Sequence, residues 1–219
     1  MTRVKICCIS SIEEASLAIR YGASAIGLVS NMPSGPGVIT EDEIELISLS
    51  VPPGISTFLL TSSQNIEEII TQQKKCKTNT IQICDHLVSG THEQLKEALP
   101  GIKIVQVVHV TDENSLVEAI AISNSVDAIL LDSGNKKLTV KELGGTGRTH
   151  NWEISRKIRE SVKIPIFLAG GLNPDNIFDA IRLVNPFGVD ICSGVRTSRK
   201  LDESKLKLFL EKVREADKT

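Results

Sequence analysis

Aromatic residues are scarce in this chain: five Phe, one Trp and one Tyr among 219 residues. Proteins that hold single-stranded nucleic acid combine aromatic stacking platforms with a basic groove. Neither is legible here, since 25 Lys and Arg stand against 27 Asp and Glu, a net charge of -2. Also missing is any apolar run near the ~20 residues that a membrane helix requires. Arg3 and Lys5 meet Glu13 and Glu14 before a long apolar stretch develops, unlike a secretory signal. There is no CxxC spacing, and the five cysteines (Cys7, Cys8, Cys76, Cys84, Cys192) are odd in number. Free thiols in a reducing, cytoplasmic compartment are therefore expected, with Cys76 and Cys84 read as small core residues. His86, His92, His109 and His150 show no metal-ligand spacing, so neither metal nor cofactor is expected. These exclusions leave a soluble globular protein acting on a small molecule, with nucleic acid and membrane ruled out as partners.

What the sequence does contain is alternation. Eight short runs rich in β-branched residues read as buried strands: 4–9, 25–29, 56–60, 80–84, 104–110, 128–132, 165–169 and 189–192. Near-continuous apolar runs of this kind suit a parallel sheet covered on both faces. Helical patterns lie between them, such as Ile177, Ala180, Ile181 and Val184 at i, i+3, i+4, i+7. Ser10 or Ser11 with Glu13 or Glu14, and Thr40 with Glu43, carry the capping-box signature. Asn173-Pro174 fits an N-cap followed by proline at the first helical position. Eight β-α units predict a closed (β/α)8 barrel, the TIM-barrel architecture, occupying 1–219 as one domain. The longest stretch without an element, 133–151, has the character of a lid.

In such barrels the reacting groups sit at the C-terminal ends of the strands. Strand one ends near Cys7-Cys8 and strand six at Asp132. A thiolate that takes a proton and a carboxylic acid that gives one form an acid/base pair, provided the Asp pKa is raised and the Cys pKa lowered. Core packing for Cys7 and a turn or cap role for Asp132 are equally open on spacing alone. Gly170-Gly171 after strand seven and Ser193-Gly194 after strand eight let backbone N–H groups approach an anion, which favours a phosphate cradle over simple turn chemistry. The stretch 144–149 (Gly-Gly-Thr-Gly-Arg-Thr) lacks the Lys-Ser/Thr ending of a P-loop and reads as a lid or a second phosphate contact.

These segments together resemble the phosphoribosylanthranilate isomerase family of tryptophan biosynthesis over essentially the whole chain. Val4-Lys5-Ile6-Cys7 is similar to the family's Lys-Ile-Cys-Gly motif. Residues 144–149 with Trp152, 168–174, and 188–195 are similar to its later motifs. The resemblance implies a cofactor-independent Amadori rearrangement of a phosphosugar substrate, with Asp132 as general acid and Cys7 as general base. It implies a phosphate held by backbone near Gly145, Gly171, Ser193 and Gly194, with Gly170 beside them, and Asp190 near the anthranilate amine. It also implies a monomer or homodimer. Lys5 belongs to the first motif. Where the family has Gly after the motif Cys, this chain has Cys8. Where the family has an Arg that helps bind the anthranilate carboxylate, it has Gly37, at the end of a segment (33–37) where the chain runs one residue longer than the family's. Arg148, Arg3, Arg196 and His109 are the candidates to compensate, although a satisfied structural His109 is the simpler expectation. A related isomerase of another aminosugar or ketose phosphate, and a non-catalytic phosphometabolite-binding barrel, remain alternatives.

Overall fold

The structure, a computed structural model, describes residues 1–134, 141–145 and 147–218. The strands are β1 Arg3–Ile6, β2 Ala25–Val29, β3 Ser56–Thr61, β4 Thr80–Ile83, β5 Lys103–His109, β6 Ala128–Asp132, β7 Ile166–Leu168 and β8 Gly188–Ile191. Each is followed by a helix: α1 Ile12–Tyr21, α2 Glu41–Ser50, α3 Ile66–Cys76, α4 His92–Ala98, α5 Asn114–Ile122, α6 Trp152–Ser161, α7 Ile177–Val184 and α8 Glu203–Ala216. All neighbouring strands pair in parallel, and β8 pairs with β1 to close the barrel, with Lys5 beside Asp190 in that final seam. The predicted (β/α)8 architecture is the observed one. Among the described residues no helix is long and apolar enough to cross a membrane.

Period-two alternation divides the side chains into two shells. Val4, Ile6, Ile26, Leu28, Leu59, Ile81 and Ile129 point outward and pack under the helices, against residues such as Ile69, Ile158, Ile177 and Phe209. Ala25, Val29, Phe58, Leu60, Val105, Leu130 and Phe167 fill the barrel itself. Its lower part is sealed by a chain of ring contacts. Phe167 meets Phe58 edge-on at 5.9 Å and Phe187 at 5.5 Å, and the Arg3 guanidinium lies 4.6 Å above the Phe187 ring. The polar interior therefore begins only above Phe58 and Phe167, towards the C-terminal ends of the strands.

Local chemistry starts most helices where the sequence suggests. Ser11 accepts from the Glu14 N–H, and Thr40 with Glu43 forms a reciprocal capping box. At Asn173 the outcome differs. Its side chain accepts from the N–H groups of Asp175 and Asn176, but this caps an intervening turn, and α7 begins only at Ile177. The first strand also stops earlier than the apolar run implies, because Cys8 takes a left-handed conformation with φ of 62° that ends the extended chain. A two-residue hairpin, β9 Arg196–Thr197 with β10 Lys200–Leu201, precedes α8 and has no counterpart in the sequence pattern. Residues 135–140 and Thr146, part of the expected lid, lie outside the described residues.

Candidate active site

The C-terminal ends of the strands surround one cleft, and Cys7, Cys8, Asp132, Asp190 and Ser193 all line it, together with Gly145, Gly170 and Gly171. Lys5, directly below Cys7 on the same inward face of β1, lies under this cleft and is fully buried, with Nζ 2.8 Å from Asp190 Oδ2. The ammonium also lies 5.1 Å from the Phe58 ring centre. Burial alone would lower the Lys5 pKa, but the Asp190 carboxylate and then the Cys7 sulfur outweigh it, so the group is held above its ordinary value. The second oxygen of Asp190, Oδ1, is buried and has no hydrogen-bond partner among the described residues. A buried carboxylate oxygen without a donor is costly, and this one belongs to a cleft-lining side chain that a ligand N–H can satisfy.

Asp132 closes β6. Burial pushes its pKa up to about 6; the Ser133 N–H, donating to Oδ1 at 2.7 Å, holds it lower than burial alone would, while the Asp190 charge adds to the rise. Two glycines make this burial possible. A Cβ at Gly144 would stand 2.9 Å from Asp132 Oδ2, and one at Gly170 3.1 Å from Oδ1. Both residues have positive φ (148° and 81°), so glycine is required there by backbone conformation as well as by space. Gly27 does the same for the thiol: a Cβ there would lie 2.9 Å from Cys7 Sγ and 3.0 Å from Lys5 Nζ. The sulfur and the ammonium thus share the space over one glycine.

The described part of the β6–α6 connection crosses the mouth of the barrel. Ser34 Oγ donates to the Lys141 carbonyl, Gly145 packs on Pro36, and the main chain of Arg148 and Thr149 rests on Gly171. Gly147 faces Ser193, the first residue of a short 3-10 turn, Ser193–Val195, that follows β8. Gly194 is pressed against the Leu172 carbonyl, interlocking the loops after β7 and β8.

The four residues considered as replacements for the missing arginine do not converge on the cleft. Arg3 sits at the opposite end of the barrel on Phe187. Arg196 pairs with Glu14 at 3.0 Å and donates to the carbonyls of Cys7 and Cys8, so it fastens the end of β1. Arg148 pairs with Glu142. His109 donates from Nε2 to the Cys84 carbonyl at 3.3 Å, a buried structural contact. Among the described residues Lys141 stands near the rim, paired with Asp85 just beyond β4. It borders a hollow that shares Met32 and Leu143 with the main cleft. The Lys141–Asp85 contact spans 56 positions of chain, and nothing in either local sequence announces it. Gly27 did carry a signal, since an isolated glycine within a strand often marks a close approach. Cys76 and Cys84 have thiols pushed up to about 12, chiefly by burial, as befits unreactive thiols.

The two departures near the rim are one packing event. Gly37, at φ of 79°, backs onto Cys8, and a Cβ at position 37 would collide with the Cys8 side chain. A Cβ at 37 thus meets the Cys8 side chain first and then the Cys8 Cα, 2.9 Å away, so a side chain at 8 aggravates an already tight approach. Gly37→Arg alone is expected to cost about 3 kcal/mol, from over-packing and left-handed strain. Cys8→Gly should recover ~1–3 kcal/mol of that loss as a coupling term. Urea unfolding of both single variants and the double variant measures the coupling; strict additivity would mean that the two positions are independent.

Comparison with known proteins points to one family. The family model for N-(5'phosphoribosyl)anthranilate (PRA) isomerase matches residues 4–212. The N-(5'-phosphoribosyl)anthranilate isomerase of Methanocella arvoryzae is 34% identical over 98% of this chain and 99% of its own. That of Methanosarcina acetivorans is 34% identical over 97% of this chain and 93% of its own. Among solved structures, phosphoribosyl anthranilate isomerase from Thermotoga maritima superposes with a TM-score of 0.83 at 28% identity, covering 98% of this chain and 100% of that one. A phosphoribosyl anthranilate isomerase in complex with reduced 1-(o-carboxyphenylamino)-1-deoxyribulose 5-phosphate gives a TM-score of 0.80 at 27% identity, with 98% and 100% covered.

Proposed function

The chain belongs to the N-(5'-phosphoribosyl)anthranilate isomerase family, isomerases of tryptophan biosynthesis, and from that premise we propose that it carries out the Amadori rearrangement with Asp132 as general acid and Cys7 as general base. The observation that carries the assignment is Asp132 itself: a carboxyl raised to about 6 by burial, in the same cleft as the Cys7 thiol. A carboxylic acid near the working pH can donate a proton efficiently.

The steps are those that the family resemblance implies for these residues. Asp132 gives its proton to the furanose ring oxygen, the C1–O bond breaks, and the nitrogen lone pair completes a Schiff base. Cys7 takes the proton from C2, and the electrons flow to the iminium nitrogen to give the enolamine, which tautomerises to the ketone. The Lys5 ammonium supplies a counter-charge beside that sulfur. Asp190 Oδ1 accepts from the substrate's secondary amine, the donor that the oxygen otherwise lacks. Backbone N–H groups around Gly145, Gly171, Ser193 and Gly194 hold the phosphate, with the crossing loop above them. No step needs a metal or redox cofactor, because one acid, one base and one anion cradle account for the proton movements.

With Gly37 in place of the family arginine, the ring carboxylate falls to Lys141, next to the apolar walls of Met32 and Leu143. Lys141→Met should raise KM about tenfold, corresponding to ~1.4 kcal/mol, while kcat is kept. A mixed loss of kcat and KM would instead place Lys141 in the chemistry. The overall assignment is tested by following the fluorescence of freshly made substrate: catalysed consumption and rescue of a tryptophan auxotroph lacking this step are expected. Decay at the uncatalysed rate overturns it. Gly37 favours one other reading, a related isomerase acting on a different aminosugar phosphate, for which turnover would appear with that substrate and not with the anthranilate adduct.

A further inference from the structure

Cys8 and Cys192 come from adjacent strand ends, one just beyond β1 and the other just beyond β8, and take no part in the proton transfers above. Their sulfurs are 2.6 Å apart, and both side chains line the cleft. The chain around them is held firmly. Arg196 donates to the Cys8 carbonyl at 2.5 Å and is itself paired with Glu14, while Pro36 presents its carbonyl to the Cys8 thiol at 3.5 Å. We propose that Cys8 and Cys192 are a thiol–disulfide pair, which a hydroperoxide entering the cleft converts into a reversible intramolecular disulfide at the mouth of the active site.

The environment divides the roles. Hydrogen bonding from Cys8 lowers the Cys192 pKa; burial opposes this, and the Arg196 guanidinium adds to the lowering. The Cys8 thiol is raised, first by its contact with Cys192 and then by Cys7. Cys192 is therefore the attacking sulfur, since the thiolate is the nucleophile, and Cys8 is the resolving thiol. In the first step the Cys192 thiolate attacks the hydroperoxide ROOH. An S–O bond forms, the O–O bond breaks, and the alcohol ROH leaves after gaining a proton. In the second step Cys8 releases its proton and attacks the sulfenic sulfur; the S–S bond forms, the S–O bond breaks, and water leaves. Two thiols lose two electrons in all, and the hydroperoxide gains them. Because the resolving sulfur is already in contact, the sulfenic acid closes to a disulfide before a second oxidant can take it irreversibly to the sulfinic level.

Closure ties together two segments that matter for ligand. Cys8 follows Cys7 directly, and Cys192 precedes Ser193. Turnover should fall in proportion to the disulfide-linked fraction and return with dithiothreitol. That consequence rests on the function proposed above; formation of the disulfide does not.

The two parts separate in one experiment. The reduced full-length chain is treated with hydrogen peroxide, its thiols are counted after denaturation, and its tryptic peptides are mapped. The expected result is a fall from the five thiols of the sequence to three, with the peptide 6–20 joined to 183–196. The link should persist in Cys7→Ser and vanish in both Cys8→Gly and Cys192→Ser. Glycine suits the positive φ at position 8, so the Cys8→Gly chain keeps its fold as the control. An unchanged thiol count, sulfinic acid at Cys192 without a link, or a link that survives Cys8→Gly overturns the pair. A complete disulfide with undiminished turnover overturns its effect on the site. A disulfide in a chain whose reduced form never consumes the anthranilate substrate upholds the pair and removes the substrate reading instead.

Discussion

Replacing Asp132 by Asn is expected to lower kcat by roughly 10²–10⁴-fold, the usual contribution of a positioned general acid, and to make the protein more stable at neutral pH. The two effects have one origin. In the folded chain burial raises the carboxyl to about 6, against an ordinary value of 3.8. The folded state therefore holds this proton more tightly than the unfolded state. Its contribution is intact below about pH 4 and is lost as pH rises through 6. Above that, keeping a buried carboxylate costs up to about 3 kcal/mol. Asparagine has nothing to ionise, so Asp132→Asn should melt at a higher temperature than the parent at pH 7.5 and at a similar temperature at pH 4. For the parent, the pH profile of kcat/KM should change slope near 6, where the acid form of Asp132 begins to disappear, and that change should be missing from Asp132→Asn. A kcat/KM flat from pH 5 to 8, or an Asn variant that melts lower at pH 7.5, would remove Asp132 from the role of acid.

The second large effect is on Lys5. It is fully buried, and Asp190 is its ion-pair partner at 2.8 Å. Lys5→Met strands the Asp190 charge inside the barrel, with Oδ1 already lacking a protein donor. Breaking a buried pair from one side costs about 3–5 kcal/mol, a large part of the stability of an ordinary domain. Adding Asp190→Leu removes the stranded charge and should return much of that stability, because apolar replacement of a whole buried pair is often neutral. Turnover should stay lost in the double variant, since the acceptor for the substrate amine has gone. Chemical denaturation of the two variants distinguishes this from simple packing, in which the second substitution would only add to the damage.

How far these groups are legible in the sequence depends on how local their causes are. Asp132 and Cys7 can be found because a parallel barrel gathers strand ends at one rim; Asp132 stands where its apolar run stops, and Cys7 near the end of the first. The capping boxes are equally local, a matter of three residues at Thr40 to Glu43. The start of α7 is displaced because Asn173 caps a turn before it caps a helix, a choice of backbone path that its side chain permits either way. Lys141 and Asp85 meet only through the fold. Gly27 is legible only as an isolated glycine inside an apolar strand, which signals a close approach without saying what approaches. The relation between Cys8 and Gly37 is invisible for a further reason: read separately, each is a departure from the family pattern, and only the collision of a Cβ at 37 with the Cys8 side chain makes them a single fact.

That collision also bears on history. If the family residues, Gly at position 8 and Arg at 37, were the ancestral pair, only one order of change is open. Loss of the arginine at 37 creates room, and Cys8 can then arise at the cost of its left-handed backbone alone. The reverse order passes through a chain carrying both side chains, whose ancestors would have had to survive an intermediate several kcal/mol less stable. On that premise the problem of the ring carboxylate came first and the second thiol afterwards, and relatives with Gly at both positions should outnumber relatives with Cys and Arg together.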